Sequence, residues 1–255
     1  MGGIFFFLLG LIFGSFLGCL LYRLEKKESL FEKRSFCPFC KHPLSFFDLI
    51  PVLSYVFLKG KCRYCKKRIS LFYPLIELKT GFLFFLIYKF KFFSLFSLFY
   101  YLTISSLLIL IFFYDLKNLI IPDRVIYPGI FFAFLLWLFY LFKSENFIFY
   151  FLNLIFALLP SLFFLFLILI SKEKWLGWGD FKLSIFMALI LGSPYIFLAI
   201  FFSFFLGAII GTGLIIFKKK SLKSEIPFGP FLVSGTFLAM FFGDEILKIC
   251  QKALL

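Results

Sequence analysis

The sequence has little charge and lacks any regular alternation of polar and apolar residues. Only 16% of its 255 residues are charged, whereas 63% are hydrophobic, and the mean hydropathy is +1.05. Apolar runs of about twenty residues recur along the chain, which is the length that a helix needs to cross a bilayer. Because these runs are continuous, they exclude a transmembrane β-barrel, whose strands alternate. The composition therefore predicts an all-α polytopic membrane protein.

Acidic residues are scarce. Against 27 Lys and Arg there are 13 Asp and Glu, which gives a net charge of +14. Such an excess can indicate nucleic-acid binding, but here the basic residues lie mainly between the apolar runs. Basic loops are typical of the cytoplasmic side of membrane proteins. We therefore expect a lipid bilayer as partner, and no nucleic acid.

The amino terminus lacks the marks of a removable signal peptide. Residues 1–21 contain no basic residue before the apolar run and no small-residue cleavage site. The first charges follow the run, at Arg23, Lys26 and Lys27. This asymmetry predicts an uncleaved first helix with its amino terminus outside.

The hydropathy pattern predicts about eight transmembrane helices. Their spans are 4–22, 75–90, 96–114, 125–142, 148–170, 181–192, 194–217 and 228–247. With the first long loop inside, the cytoplasmic segments 23–73, 115–124, 171–182 and 218–224 hold 12, 2, 3 and 4 Lys and Arg residues, which makes 21. The opposite side holds 5. This imbalance predicts that both termini face out.

The largest polar segment, residues 23–73, is too small to form a sizeable hydrophobic core, so it needs a disulfide or a metal ion to stabilise it. It contains two CxxC pairs, formed by Cys37, Cys40, Cys62 and Cys65. Two such pairs favour one tetrahedral zinc site. Two disulfides or a redox pair are the alternatives, but a cytoplasmic location disfavours stable disulfides and no thioredoxin-like pattern surrounds either pair.

Three other residues of the metal-ligating types are interpreted as structural. The single histidine, His42, follows the first CxxC pair closely enough to compete as a ligand, but a solvated loop residue is the simpler interpretation. Cys19 and Cys250 lie in or beside apolar runs and are interpreted as packing residues. The predicted domains are therefore a first helix (1–22), a cytoplasmic zinc-binding domain (23–73) and a seven-helix membrane domain (74–255).

A carboxylate with small neighbours lies where a polar loop meets an apolar run. Asp180 follows Gly177 and Gly179, whose lack of side chains leaves room for an extended peptide to approach. A carboxylate at a membrane boundary suggests a functional site. The alternative is an ordinary N-cap of a helix that starts at Phe181.

A second carboxylate, Asp115, lies at the predicted C-terminal end of the third helix. There it opposes the helix dipole, so no stabilising role explains it. Asp123 follows Pro122 at a predicted helix start, where an acidic residue is favourable. Under the predicted topology, Asp115 and Asp180 emerge on the same cytoplasmic face. Two carboxylates there can share a proton and activate a water molecule.

Glu77 lies in the first turn of the second predicted helix, where compensation of the helix dipole suffices to explain it. The basic run at 218–220 is explained as an orientation signal near anionic lipid.

Together these segments resemble the prepilin peptidases, membrane aspartic proteases of the GxGD type. The resemblance covers nearly the whole chain. It rests on the segments 14–17, 22–24, 37–51, 62–65, 73–78, 115–123, 177–182 and 226–230. Two positions depart from the family pattern. Gly18 stands where the family usually has Asn, and Glu25 stands where the family often has a Pro after the Tyr-Arg-Leu sequence at 22–24.

The resemblance implies a site and a reaction. Asp115 and Asp180 would be catalytic, with Gly177, Gly179 and Lys182 in support. The substrates would be type IV prepilin or pseudopilin precursors in the bacterial inner membrane, cleaved after a Gly at the cytoplasmic face.

The resemblance also implies a second activity. The new amino terminus would be methylated with S-adenosylmethionine, and Glu77 is a candidate for that step. Gly18 and Glu25 both lie in the part of the chain that the family associates with methylation. No glycine-rich nucleotide loop marks where S-adenosylmethionine would bind.

Two hypotheses from other functional classes compete with an enzyme. A membrane scaffold whose zinc-binding loop holds a partner would explain the cysteines but not Asp115. An ion-coupled transporter would place its carboxylates near the middle of the bilayer, whereas Asp115 and Asp180 lie at span ends.

Overall fold

The structure is a computed structural model that describes residues 2–29, 34–91, 94–217 and 226–254. Within these ranges all regular elements are helical, apart from two isolated β-bridges. The α-helices are α1 (Gly2–Lys26), α2 (Leu53–Phe57), α3 (Phe72–Lys91), α4 (Leu95–Asn118), α5 (Asp123–Lys143), α6 (Phe147–Ser171), α7 (Trp178–Leu191), α8 (Tyr195–Ile216) and α9 (Gly229–Leu254). The predicted all-α fold is confirmed.

Each of the eight predicted spans coincides with a helix, but they do not all have the properties of a membrane span. Among the described residues, six helices are long and apolar enough to cross a bilayer, namely α1, α4, α5, α6, α8 and α9. Helix α3 falls short because Glu77 and three lysines interrupt its apolar sequence. Helix α7 has only 14 residues, about 21 Å, against a hydrocarbon core of about 30 Å. The count of eight spans is therefore approximate.

Large apolar side chains on the outer faces of these helices are exposed, which suits a bilayer environment. Phe131 of α5, Phe163 of α6 and Phe201 of α8 each expose more than half of their surface. In water such faces would be costly, whereas lipid tails cover them without penalty. The protein is a multi-pass membrane protein.

By packing, the chain divides into two units, residues 1–110 and 111–255, with the boundary inside α4. In the first unit, α1 packs closely against α3. A β-carbon added at Gly14 would lie 2.6 Å from the Cα of Glu77, and one at Gly10 would lie 2.7 Å from the Cα of Gly81. Small residues let the two backbones touch, as is common in membrane helix pairs. The predicted functional division at residues 22 and 73 remains a prediction.

In the second unit, the shortest helix lies at the centre. Helix α7 contacts α5, α6, α8 and α9. Its side chains Leu183, Phe186 and Met187 are fully buried among them. This enclosure explains how a helix too short to span a bilayer by itself is stabilised. It also fixes the position of the residues at its amino-terminal end.

Candidate active site and metal centre

Asp115 lies in the last turn of α4, which extends to Asn118 and so ends four residues beyond the predicted span. Asp115 is only 4% exposed, and its Oδ2 accepts a hydrogen bond from the backbone N–H of Gly229, at 3.0 Å. Gly229 is the first residue of α9. The N–H groups that begin a helix carry partial positive charge, so α9 supplies the favourable partner that the end of α4 cannot.

Asp180 lies in the first turn of α7. The predicted start of this helix at Phe181 is wrong, because the helix begins at Trp178 and Gly177 is its N-cap. Asp180 is therefore the third helical residue, and its Oδ2 accepts the N–H of Gly177 at 3.3 Å. An acidic side chain at this position satisfies one of the amide groups that the helix start leaves without a partner.

The structure brings Asp115 and Asp180 into one region. Asp180 lies in the first turn of α7, Asp115 binds the first turn of α9, and these two turns approach the same residue. Ile121, in the connection between α4 and α5, lies beside both. A β-carbon added at Gly179 would lie 3.0 Å from Cβ of Ile121, and one at Gly229 would lie 3.4 Å from its Cδ1. An apolar side chain therefore packs against the glycine before Asp180 and the glycine that binds Asp115. Two carboxylates in one region beside an apolar side chain suit general acid–base chemistry.

Lys182 lies two residues after Asp180 and forms an ion pair with Asp123, with Nζ 2.6 Å from Oδ1. Its ammonium group also lies 4.9 Å from the centre of the Tyr127 ring. Asp123 is 60% exposed and Lys182 is 22% exposed at the side chain. Asp123 therefore does more than begin α5, because it also ties α5 to α7 at the edge of the site.

The glycines of the site differ in how much space surrounds them. At Gly177 the nearest atom to an added β-carbon would be 3.9 Å away, so this position is open, as a peptide-approach role requires. At Gly229 an added β-carbon would lie 2.5 Å from Oδ2 of Asp115. Sequence reasoning did not select Gly229 or Ile121 as site residues. Both lie in segments that carry the family resemblance, 115–123 and 226–230, but neither was given a role there.

In the first unit, the four cysteines of the CxxC pairs converge. Cys37, Cys40, Cys62 and Cys65 place their sulfur atoms within 4.8 Å of one another. The sulfurs of Cys37 and Cys65 are 3.9 Å apart. Tetrahedral thiolates at a zinc–sulfur distance of about 2.3 Å would be separated by about 3.8 Å, so the cluster fits a metal ion of this kind.

The two CxxC segments have the same backbone conformation. The N–H of Cys37 donates to His42 O and the N–H of Lys41 to Cys37 O, and the same pattern joins Cys62, Lys66 and Lys67. A β-bridge closes each segment, Phe36 with Pro43 and Lys61 with Arg68. Although burial opposes it, the backbone N–H groups of Cys40 and Phe39 lower the pKa of Cys37 to about 7. Both segments are therefore shaped as metal-binding knuckles.

His42 takes no part in the cluster. Its ring stacks on Tyr64 with centroids 3.7 Å apart, and its Nδ1–H donates to Pro43 O.

Asp48 connects the two knuckles. Its buried carboxylate accepts hydrogen bonds from Ser45, Arg63 and Tyr64. Although burial opposes it, these donors lower the pKa of Asp48. Asp48 thus joins the segment after the first knuckle to the second knuckle.

Glu77 is buried, and its Oε2 accepts the N–H of Val52 at 2.7 Å. Ser15 of α1 lies close to the same side chain. Val52 has φ 60° and ψ −48°, and the N–H of Leu53 donates to Pro51 O across it. This is a rare, strained γ-turn, and a β-branched residue seldom adopts it. The prediction that Glu77 compensates the dipole in the first turn of its helix is wrong, because α3 begins at Phe72 and has no acidic residue in its first turn. Its carboxylate instead holds the turn at Val52.

Gly18, one of the two departures from the family pattern, lies against Tyr73 of α3. An added β-carbon there would approach the ring to 3.2 Å, so a side chain at this position would force the ring to move. The basic run at 218–220 lies outside the described residues.

Comparison with known proteins gives two matches to family models. Residues 8–91 match the bacterial peptidase A24 N-terminal domain, and residues 102–212 match the type IV leader peptidase family. The first region contains the cysteine knuckles and Glu77, and the second contains Asp115 and Asp180.

Curated relatives match over most of the chain. A prepilin leader peptidase/N-methyltransferase of Bacillus subtilis (strain 168) is 33% identical over 246 residues, which cover 96% of this chain and 96% of the relative. One of Aeromonas salmonicida (strain A449) is 30% identical, with 95% and 91% covered. One of Myxococcus xanthus (strain DK1622) is 46% identical over 82 residues, 32% of this chain and 24% of the relative. No solved structure matches.

Proposed function

The chain belongs to the type IV leader peptidase family, and from that premise we propose that Asp115 and Asp180 are the catalytic pair of a membrane aspartic endopeptidase. Its substrates are type IV prepilin or pseudopilin precursors, from which it removes the short basic leader by cleavage after a Gly. The observation that carries the proposal is the meeting of two carboxylates from different helices, one of them buried at a helix end that it opposes.

In this reaction one ionised carboxylate removes a proton from water, whose oxygen attacks the carbonyl carbon of the scissile bond. The other carboxylic acid donates its proton as the carbon–nitrogen bond breaks and the new amino terminus leaves. Coupling between the two groups keeps one protonated and one ionised, so that the pair supplies both base and acid. The open position at Gly177 leaves room for the substrate backbone beside Asp180.

Lys182 has a supporting role. Its ion pair with Asp123 links the fifth residue of α7 to the first residue of α5. Because Asp180 lies in the same turn of α7, this link holds its carboxylate in register with Asp115. The pair lies at an exposed edge, so its contribution is positional and modest.

The site faces the cytoplasm. This assignment is supported by the count of Lys and Arg, 21 against 5, in favour of the side on which both aspartates are predicted to emerge. The same count places the cysteine knuckles on the cytoplasmic side. There the four thiolates hold a structural zinc ion, because a closed four-sulfur site leaves no position for substrate.

The enzyme also methylates the amino terminus that cleavage exposes. S-adenosylmethionine, when bound, supplies the methyl group. Glu77 supports this step by position, since its hydrogen bond from Val52 connects the knuckle domain (residues 34–71) to helix α3. The proposal is supported by the relatives' double name and by the match of residues 8–91.

The decisive experiment is a cleavage assay in nanodiscs with a prepilin-like peptide, read by mass. Asp115→Asn and Asp180→Asn keep side-chain shape but prevent proton exchange, so each should lower the cleavage rate by about 10²–10⁴-fold. The double variant should be scarcely worse, because residues that act as a unit are not additive.

Asp244→Asn is the matched control. Asp244 accepts a hydrogen bond from Tyr195, and it lies fifteen residues along α9 from Gly229, or about 22 Å from the end of α9 that binds Asp115. Its replacement should leave cleavage near normal. If Asp115→Asn cleaves normally, the pair is misassigned.

A further inference from the structure

The knuckle domain exposes an apolar patch whose residues have no role in the proposed cleavage reaction. The patch is formed by the short helix α2 and the preceding 3-10 turn (Phe46–Leu49). Phe57 is 81% exposed, Phe46 79% and Phe47 69%, and Leu53 and Val56 expose more than half of their surface. Contiguous apolar surface of this kind on a polar segment indicates a contact with a membrane or another protein.

The depth of the patch is marked by contacts with α3. The N–H of Val52, immediately before α2, donates to Glu77. Glu77 is five residues after the start of α3, about 8 Å along the helix. The start of α2 therefore lies beside the body of α3 and not beyond its end.

Contacts with α1 give the same depth independently. Ser35 donates to the sulfur of Cys19 at 3.7 Å, and Phe36 packs edge-on against Tyr22 with ring centroids 6.0 Å apart. Both partners lie in the last two turns of α1, which is long and apolar enough to cross a bilayer. The knuckle domain is thus held at the level where the membrane helix ends.

The charge of this domain matches a lipid surface. Residues 34–71 contain eight Lys and Arg and one acidic residue, Asp48. Asp48 is buried and neutralises Arg63, which leaves the other seven Lys and Arg residues without an acidic residue of this segment to compensate them. Apolar side chains flanked by basic residues are the pattern by which protein segments lie in the interface of a membrane with anionic lipids.

We propose that α2 and the Phe46–Leu49 turn insert their apolar side chains into the headgroup region of the bilayer. The membrane surface is the partner of this patch. The carboxylate of Glu77, on α3, holds the strained turn at Val52 and thereby orients α2, which follows that turn. In this way Glu77 connects α3 to the part of the knuckle domain that lies in the lipid surface. The inference rests on the membrane placement of α1, against which α3 packs, and not on the assignment of the catalytic aspartates.

The test uses the full-length protein in nanodiscs that contain phosphatidylglycerol. A photoactivatable benzophenone amino acid replaces Phe57, and in a second variant Phe46, so that each substitution keeps an aromatic side chain. After irradiation, the adducts are identified by mass. Zinc content confirms that the knuckle domain is folded in each variant.

Two matched positions calibrate the result. Phe201, 62% exposed on α8, serves as the lipid-facing standard, and Lys67 on the second knuckle serves as the solvent-facing one. Lipid adducts at positions 57 and 46 should be several-fold more abundant than at 67 and comparable with those at 201.

Adducts no more abundant than at position 67 would overturn the proposal and leave the patch in water. Cross-links to a second copy of the chain or to an added prepilin-like peptide, in place of lipid, would overturn it as well and would identify a protein partner. Cleavage activity measured on the same samples separates this outcome from a failure of the catalytic proposal.

Discussion

The two aspartates of the site differ in how their own helices affect them. Asp180 is favoured where it lies, because it accepts an amide hydrogen bond in the first turn of its own helix. Asp115 is disfavoured by its own helix and is held instead by the first amide of α9. A residue kept in an unfavourable local position by a distant partner is the more diagnostic of function.

Gly229 tests that partnership. Gly229→Ala adds a methyl group 2.5 Å from Oδ2 of Asp115, so the carboxylate must move and its hydrogen bond weakens. We expect cleavage to fall by about tenfold or more, in line with the cost of about 1–3 kcal/mol for such overpacking. The peptide cleavage assay measures this. Gly213→Ala is the control, since nothing lies within 4 Å of an added β-carbon there. Equal activity of the two variants would contradict the arrangement.

Asp123 tests which carboxylate is the partner of Asp180. An exposed ion pair contributes about 0–1 kcal/mol, so Asp123→Asn should lower cleavage by no more than about fivefold. The loss should be much smaller than that of Asp115→Asn in the same assay. A dead Asp123→Asn beside an active Asp115→Asn would make Asp123 the true partner.

At the scale of elements, contact between α1 and α3 depends on small residues. The backbones touch at Gly14, where an added β-carbon would lie 2.6 Å from the Cα of Glu77. Gly14→Ala must therefore separate the helices, and we expect it to destabilise the protein by about 1–3 kcal/mol. A lowered midpoint of thermal unfolding in detergent would show this, again against Gly213→Ala. An unchanged midpoint would mean that the contact is looser than the structure shows.

Glu77 links these helices to the knuckle domain. Glu77→Ala removes the acceptor for the N–H of Val52, so the strained turn should relax, and N-methylation should fall more than cleavage. Glu77→Gln keeps an oxygen acceptor, so methylation should largely survive if the role is positional. Mass analysis of the peptide product reports both activities. Equal loss of both in Glu77→Ala would mark the residue as a general stabiliser.

At the scale of the whole molecule, we propose that a zinc ion stabilises the knuckle domain, which has little hydrophobic core of its own. Purified protein should contain about one zinc ion per chain, and Cys37→Ser or Cys62→Ser should lower that content, because each removes a ligand from one tetrahedral site. Elemental analysis measures it. Full retention of zinc after replacement of all four clustered cysteines would refute the assignment.

The orientation of the chain is a second prediction at this scale. Reporter fusions after Lys67 should report the cytoplasm, and fusions near Ser144 the opposite side, because Lys and Arg are concentrated on one side. A signal from outside the cytoplasm at Lys67 would reverse the proposed face of the site.

The sequence alone determined the class of the protein and most of its elements. Apolar runs of bilayer length specify helices wherever they occur, since backbone groups in lipid must be satisfied within the segment. The spacing of Cys37, Cys40, Cys62 and Cys65 likewise predicted a cluster that the structure forms, because each CxxC turn places its two sulfurs together locally.

Only the tertiary structure decided what lies opposite each site residue. Gly229 is 114 positions from Asp115, and no local pattern relates a carboxylate at the end of one helix to the first amide of another. The same holds for Lys182 with Asp123 and for Glu77 with Val52. Local propensity sets where helices form, but helix packing decides which ends meet, and these meetings convert scattered carboxylates into a site.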